Sequence, residues 1–236
     1  MEMRNIIGIV NVTSGSSAYP ATYFLKEYYS FSAKNSLPVP KIIIDNVTDI
    51  ENKSTAYIDN QQSNTVVRVL GNALEDLIAL KSDKVAILCN ICHLYTDGIY
   101  RSFPAIRPFF IDVVSGIVVS AKTAGVKKIL ILCSENARKS QMFDNYFFDA
   151  DISTFYADKE QHIIHSLMDA AEQNNIDDRM ILELYNLCLS YKNHAICFAC
   201  TELSMIYGHD KEMFTEFTIF DSIIIAIKQL SDAIKF

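Results

Sequence analysis

Two short stretches carry the residues best suited to chemistry. "CNICH" sets Cys89 and Cys92 three apart with His93 beside the second, and "CFACTE" sets Cys197 and Cys200 three apart. Two C-x-x-C pairs fit a metal centre or a redox dithiol. The other reading is that one cysteine of each pair acts while its neighbour packs. Cys89 ends the apolar run "VAILC" and Cys92 follows it, whereas Cys200 ends "AICFAC" and Cys197 lies inside it. The pairs are thus out of phase with their runs, and neither has a turn glycine beside it. A zinc knuckle places its thiolates in tight turns, and a thioredoxin-type dithiol needs both at a helix start. Only "CNIC" could satisfy the second condition.

Cys89 and Cys200 are the two in equivalent places. A thiolate on one side can remove a proton from a weakly acidic carbon, and a thiol on the other can return one to the opposite face. The outcome is inversion of a stereocentre by general acid–base catalysis, with no cofactor required. A free thiol ionises near pH 8.5, and a helix N-terminus helps it do so nearer neutrality. Cys92, Cys133, Cys188 and Cys197 fit the common fate of free cysteine, a small buried hydrophobe. Cys133 ends its own apolar run and could also line a cleft.

Such thiols need strands to aim them. Short apolar runs at 6–10, 41–45, 85–89, 128–133, 152–156, 195–200 and 217–220 alternate with longer helical patterns. The runs are continuous rather than alternating, as strands covered on both faces are. Val67, Leu70, Leu74, Leu77 and Ile78 fall on one face of a helix, and Gly125 is placed to end the helix that starts near Asp112. This rhythm predicts an α/β protein with parallel sheets, and ligands of such sheets bind beyond the carboxyl ends of strands.

Composition narrows the partners. A formal charge of -7 and a pI near 5.2 argue against nucleic acid, which needs a basic surface. No apolar stretch reaches membrane-spanning length, and the first apolar run is too short for a signal segment. The cysteines are therefore expected as reduced thiols in a cytoplasmic protein.

The same residues resemble a known family. "CNICH" is similar to the C-N-T-x-H motif, and "ACTELS" to the G-C-T-E motif, of the aspartate/glutamate racemases, the pyridoxal-phosphate-independent amino-acid racemases. "IIGIV", "VKKILILCSENARKS" and "TIFDS" resemble further segments of that family, so the likeness runs nearly end to end. It implies two similar Rossmann-like α/β lobes related by a pseudo-twofold, with the active site in the cleft between them. Residues 1–110 and 213–236 would form the first lobe and 111–212 the second. It implies a racemase without cofactor or metal, a small amino acid or related carboxylate as substrate, and a homodimer.

Carried over by position, Cys89 and Cys200 would be the two bases. Asn90 and Thr201, with their backbone N–H groups, would hold the substrate carboxylate, and Ser134 falls on a hydroxyl position of the second lobe. His93 and Glu202 would tune or orient their cysteines, although His93 could equally be a satisfied helix-start histidine. The departures concern the pocket. Asn11-Val12-Thr13 replaces a glycine-rich turn, so Asn11 and Thr13 would line the site. Ile91 and Ala137 stand where threonines are usual. Lys53 and Arg138 are the cations that could meet a distal carboxylate. The alternatives left open are a superfamily member that acts on another carboxylate or only binds it, and a thiol-redox or zinc protein. The last predicts that Cys92→Ser is as damaging as Cys89→Ser.

Overall fold

The computed structural model describes residues 5–12, 19–48, 50 and 63–234. Those residues divide into two compact units, 1–113 with 226–236, and 114–225.

The first unit is built on strands β1 (Ile6–Val12), β2 (Lys41–Val47), β3 (Lys84–Ile87) and β4 (Phe110–Ile111), all parallel, in the order β2-β1-β3-β4. Central β1 is buried from Ile7 to Val12, while edge strand β2 is only partly covered. Helix α1 (Tyr19–Lys34) follows β1, and α2 (Ser63–Ala79) precedes β3. The apolar stripe of α2 (Val67, Leu70, Leu74, Leu77) packs with Val10, Val85 and Ile87 in one core. Gly8 allows that approach, because a Cβ there would meet Leu77, Ser82 and Val85 at 2.9 Å. After β3 come a 3-10 turn (Asn90–Tyr95) and helix α3 (Thr96–Ser102).

The second unit repeats the plan. Helix α4 (Val113–Thr123) leads to β5 (Lys128–Leu132), then to α5 (Glu135–Lys139), α6 (Met142–Phe148) and β6 (Ser153–Tyr156). Helices α7 (Gln161–Glu172) and α8 (Asp178–Ser190) precede β7 (Ala195–Phe198). Helix α9 (Thr201–His209), β8 (Ile219–Asp221) and α10 (Ser222–Ala233) complete the order. The sheet is parallel, in the order β6-β5-β7-β8. Gly125 ends α4 with φ 74°. Val126 N–H donates to Ala121 C=O and Gly125 N–H to Lys122 C=O, the paired bonds of a Schellman cap.

All seven expected strands are present, but their ends shift: β3 stops at Ile87 and β7 at Phe198, two residues short of each cysteine. β4 is an eighth strand that the apolar pattern does not signal, since two residues are too few to display a period. The division between units also departs from the expected 110/111 and 212/213. β8 is hydrogen-bonded along β7, with Ile196 N–H donating to Thr218 C=O, so residues 213–225 stay with the second unit. Only the later part of α10 returns to the first. There, Ser231 Oγ–H donates to Tyr28 Oη at 3.0 Å and Gln229 Nε2–H to Asp112 C=O at 3.3 Å.

Candidate active site

The two sheets place Cys89 and Cys200 by the same rule. Leu88 N–H donates to Val10 C=O (3.0 Å), and Ala199 N–H donates to Leu132 C=O (2.9 Å). These bonds continue the ladders one residue past β3 and β7, and the next residue in each case is the cysteine. Both cysteines have extended backbones and stand as the N-cap residue of the helical segment that follows. The first amides of such a segment lack intrahelical partners and favour an anion.

Exposure then separates the six cysteines, which are thiols rather than disulfides. Cys89 and Cys200 are partly exposed, and Cys92, Cys133, Cys188 and Cys197 are buried. Cys92 belongs to the core of the first unit, and Cys188 to that of the second. Burial pushes the Cys133 and Cys188 thiols up to about 12, and that of Cys197 well above the ordinary range. These three stay protonated near neutral pH. Among the described residues, no three His, Cys, Asp or Glu side chains converge as metal ligands would.

The polar surroundings of the two partly exposed thiols differ. Glu202 carries a carboxylate that accepts from Cys200 Sγ–H at 2.6 Å and from Thr201 Oγ1–H at 3.0 Å. In the first unit, Asn90 is buried, and its Nδ2 has no hydrogen-bond partner. Ile91 is buried as well. The side chain of His93 is fully buried, with Nε2 3.3 Å from Ile87 C=O and Nδ1 3.1 Å from Asp112 Oδ1.

Other residues singled out by sequence have local partners. Asn11 lies at the carboxyl end of β1 and donates through Nδ2 to Asn46 Oδ1 at 2.7 Å, its register partner on β2. Ser134 is the N-cap of α5, where its Oγ accepts from Ala137 N–H at 3.3 Å; Ala137 itself is buried. Arg138 pairs with Asp158 through Nη1 at 3.0 Å. Thr13 and Lys53 lie outside the described residues. A cavity of about 690 Å³ borders Glu160, Ile163, Met180 and Leu187. None of the residues proposed from sequence lines it.

Two residues of interest carry no signal in the sequence. Asp112 meets His93 because β4 pairs with β3, a contact between positions 19 apart. Asp144 accepts from Thr154 Oγ1–H and from Tyr156 Oη–H (2.5 Å), both on β6. Burial, with that bond, pushes the Tyr156 phenol up.

No protein-family model matches the chain, and no curated protein sequence matches it. Solved structures do. Aspartate racemase from Picrophilus torridus superimposes with a TM-score of 0.73 at 18% identity, covering 97% of this chain and 94% of that one. The chain has the aspartate/glutamate racemase fold. Glutamate racemase from Francisella tularensis, solved with D-glutamate, gives a TM-score of 0.67 at 16% identity, over 98% of this chain and 81% of that one. The Thermus thermophilus enzyme, solved with β-chloro-D-alanine, gives 0.66 at 14% identity, over 99% and 81%. The likeness is one of backbone and topology. In this racemase fold no described helix is long and apolar enough to cross a membrane.

Proposed function

We propose that the protein is a cofactor-independent amino-acid racemase that inverts the α-carbon with Cys89 and Cys200 as its two bases. One observation carries the reading: of six thiols, these two are partly exposed, and both stand two residues beyond the third strand of a sheet. In the forward direction one cysteine, as thiolate, takes the α-proton. The other, as thiol, delivers its proton to the opposite face. The reverse direction exchanges the roles, so the pair is restored by the return reaction.

Glu202 supports this assignment for Cys200, since its carboxylate accepts the thiol proton and holds that cysteine as the donor. Asn90 and the first amides after each cysteine are the donors proposed for the substrate α-carboxylate. Thr201 stands at the equivalent place in the second unit. Asn11, Thr13, Ile91 and Ser134 would complete the pocket. The protein would work as a cytoplasmic homodimer.

Aspartate or glutamate is the first substrate class. The pairing of Arg138 with Asp158 favours a second class, amino acids without a distal carboxylate, because the guanidinium already has a counter-ion. A panel of single-enantiomer amino acids in deuterated water, followed by NMR without added cofactor, decides among them. The expected result is α-proton exchange with loss of optical purity, abolished by Cys89→Ser or Cys200→Ser and retained in Cys92→Ser. Equal damage from Cys92→Ser would favour a dithiol instead.

A further inference from the structure

Cys89 sits on a loop that leaves β3 at Ile87 and turns through Asn90–Tyr95. One backbone bond shapes its start, from Cys92 N–H to Cys89 C=O at 3.1 Å. The loop is then closed by a side chain. The His93 ring reaches back beneath the turn, and its Nε2 meets the carbonyl of Ile87, so a cross-link brackets Cys89 on both sides. The other ring nitrogen, Nδ1, meets the Asp112 carboxylate at 3.1 Å. The Phe110 ring lies against the imidazole with centroids 5.7 Å apart. Asp112 is in turn fixed by position: it follows β4 directly, opens α4, and its carbonyl accepts from Gln229 of α10.

We infer that Asp112, acting through His93, is the positioning residue for Cys89. The inference rests on the proposed function for what Cys89 does, but not for how its loop is held. The physical reason is the geometry of a buried imidazole. Both partners of the ring are acceptors, so Nε2 on the carbonyl and Nδ1 at ion-pair distance from the carboxylate hold it together when each nitrogen carries a proton, and turning the ring then gives up both contacts inside a core. The loop between Ile87 and His93 is therefore held at a fixed reach, and the sulfur with it. Proton abstraction from carbon is sensitive to that reach, since a misplacement of about 1 Å costs roughly 100-fold. The second unit has no such device at the matching places. β3–β4 and β7–β8 pairing makes Ser204 the counterpart of His93 and Asp221 that of Asp112. Asp221 accepts from Ile224 N–H at 2.8 Å, and Ser204 Oγ–H donates to Cys200 C=O at 3.4 Å. Asp112 thus acts on one thiol and not on the other.

That selectivity supplies the test. Wild type, Asp112→Asn, Asp112→Glu, His93→Gln and the double variant Asp112→Asn/His93→Gln are treated with iodoacetamide, and mass spectrometry reads Cys89 and Cys200 separately. α-Proton exchange is measured on the same samples, and circular dichroism confirms the fold. The inference expects the alkylation rate of Cys89 to change at least threefold in Asp112→Asn and His93→Gln, with Cys200 at its wild-type rate. It expects kcat for exchange to fall about 100-fold with KM nearly constant, partial recovery in Asp112→Glu, and a double variant no worse than the worse single one. Wild-type alkylation of Cys89 in the folded variants overturns it, as does a double variant whose losses multiply. If Asp112→Asn does not fold, the same comparison is made on His93→Gln and Asp112→Glu. Absence of exchange in the wild type sinks the racemase reading alone, because alkylation still reports on the loop.

Discussion

The turn after β3 and the turn after β7 begin alike and diverge within one residue. Each follows a strand of four residues, one extra ladder bond and a cysteine in extended conformation. The first then winds as a 3-10 turn, with its i+3 bond from Cys92 to Cys89. The second winds as an α-helix, with Ser204 N–H donating to Cys200 C=O at 3.2 Å. Where the second presents Glu202, a charged acceptor touching the thiol, the first presents Ile91, which is buried and apolar. The backbone rule is shared, and the polar dressing is not.

The difference suits the proposed reaction. Inversion needs one sulfur without a proton and one with it at the same instant. Two identical surroundings would share that one proton equally, and unlike ones bias which sulfur keeps it. A carboxylate beside one sulfur and an imidazole–carboxylate couple held in the other loop give the halves unequal starting points. Similar folds therefore need not carry similar electrostatics, and the symmetry lies in the strands.

Three experiments press on that comparison. The largest effect is expected from Glu202→Gln, which keeps the shape and removes the charge. General acid–base groups contribute about 10²–10⁴-fold, so kcat should fall by roughly 100-fold or more, and more in the direction that uses Cys200 as the proton donor. Equal loss in both directions, measured from each pure enantiomer, would mean that Glu202 does not distinguish the two thiols.

The next effect concerns stability at alkaline pH. Cys133, Cys188 and Cys197 all lie in the second unit, and burial raises the pKa of each in the folded state. Below about pH 8 both folded and unfolded thiols are protonated, and these groups leave stability independent of pH. From there to about 12 the unfolded thiols ionise and the folded ones do not, so stability falls as pH rises. Each such group adds up to about 1.4 kcal/mol of loss per pH unit. Urea denaturation at pH 8 and pH 10 should show the loss, and Cys188→Ala should reduce its slope; an unchanged slope would remove that thiol from the account.

The smallest effect separates capping from binding at Ser134. As the N-cap of α5 it should contribute about 1 kcal/mol, so Ser134→Ala should lower the urea midpoint. Ser134→Asp, which can also cap, should restore it. A loss of affinity for substrate without loss of stability would move Ser134 from the cap to the pocket.

The sequence carried the strands well, because apolar runs bounded by polar turns survive without any knowledge of partners. The phase of each pair against its run also matches exposure, with Cys92 and Cys197 buried and Cys89 and Cys200 partly exposed. A residue inside a strand run, such as Cys197, must face a core, while one that ends the run stands beyond the strand's carboxyl end. What the sequence could not carry were contacts set by pairing. β4 is two residues long, and only its hydrogen bonds to β3 bring Asp112 to His93. Nor does position alone announce that Ser134 caps a helix through Ala137 N–H or that Arg138 pairs with Asp158. Asn11 meets Asn46 through the β1–β2 register.

The return of α10 to the first unit has a consequence during synthesis. The Tyr28–Ser231 and Asp112–Gln229 bonds join residues 203 and 117 positions apart in the chain. A ribosome adding about 5–20 residues per second reaches residue 226 roughly ten seconds after residue 113. For that interval the nascent first unit lacks its closing helix while the whole of the second is being made. Its side chains for α10, Tyr28 among them, wait uncovered. The half that is translated first is the half that is finished last.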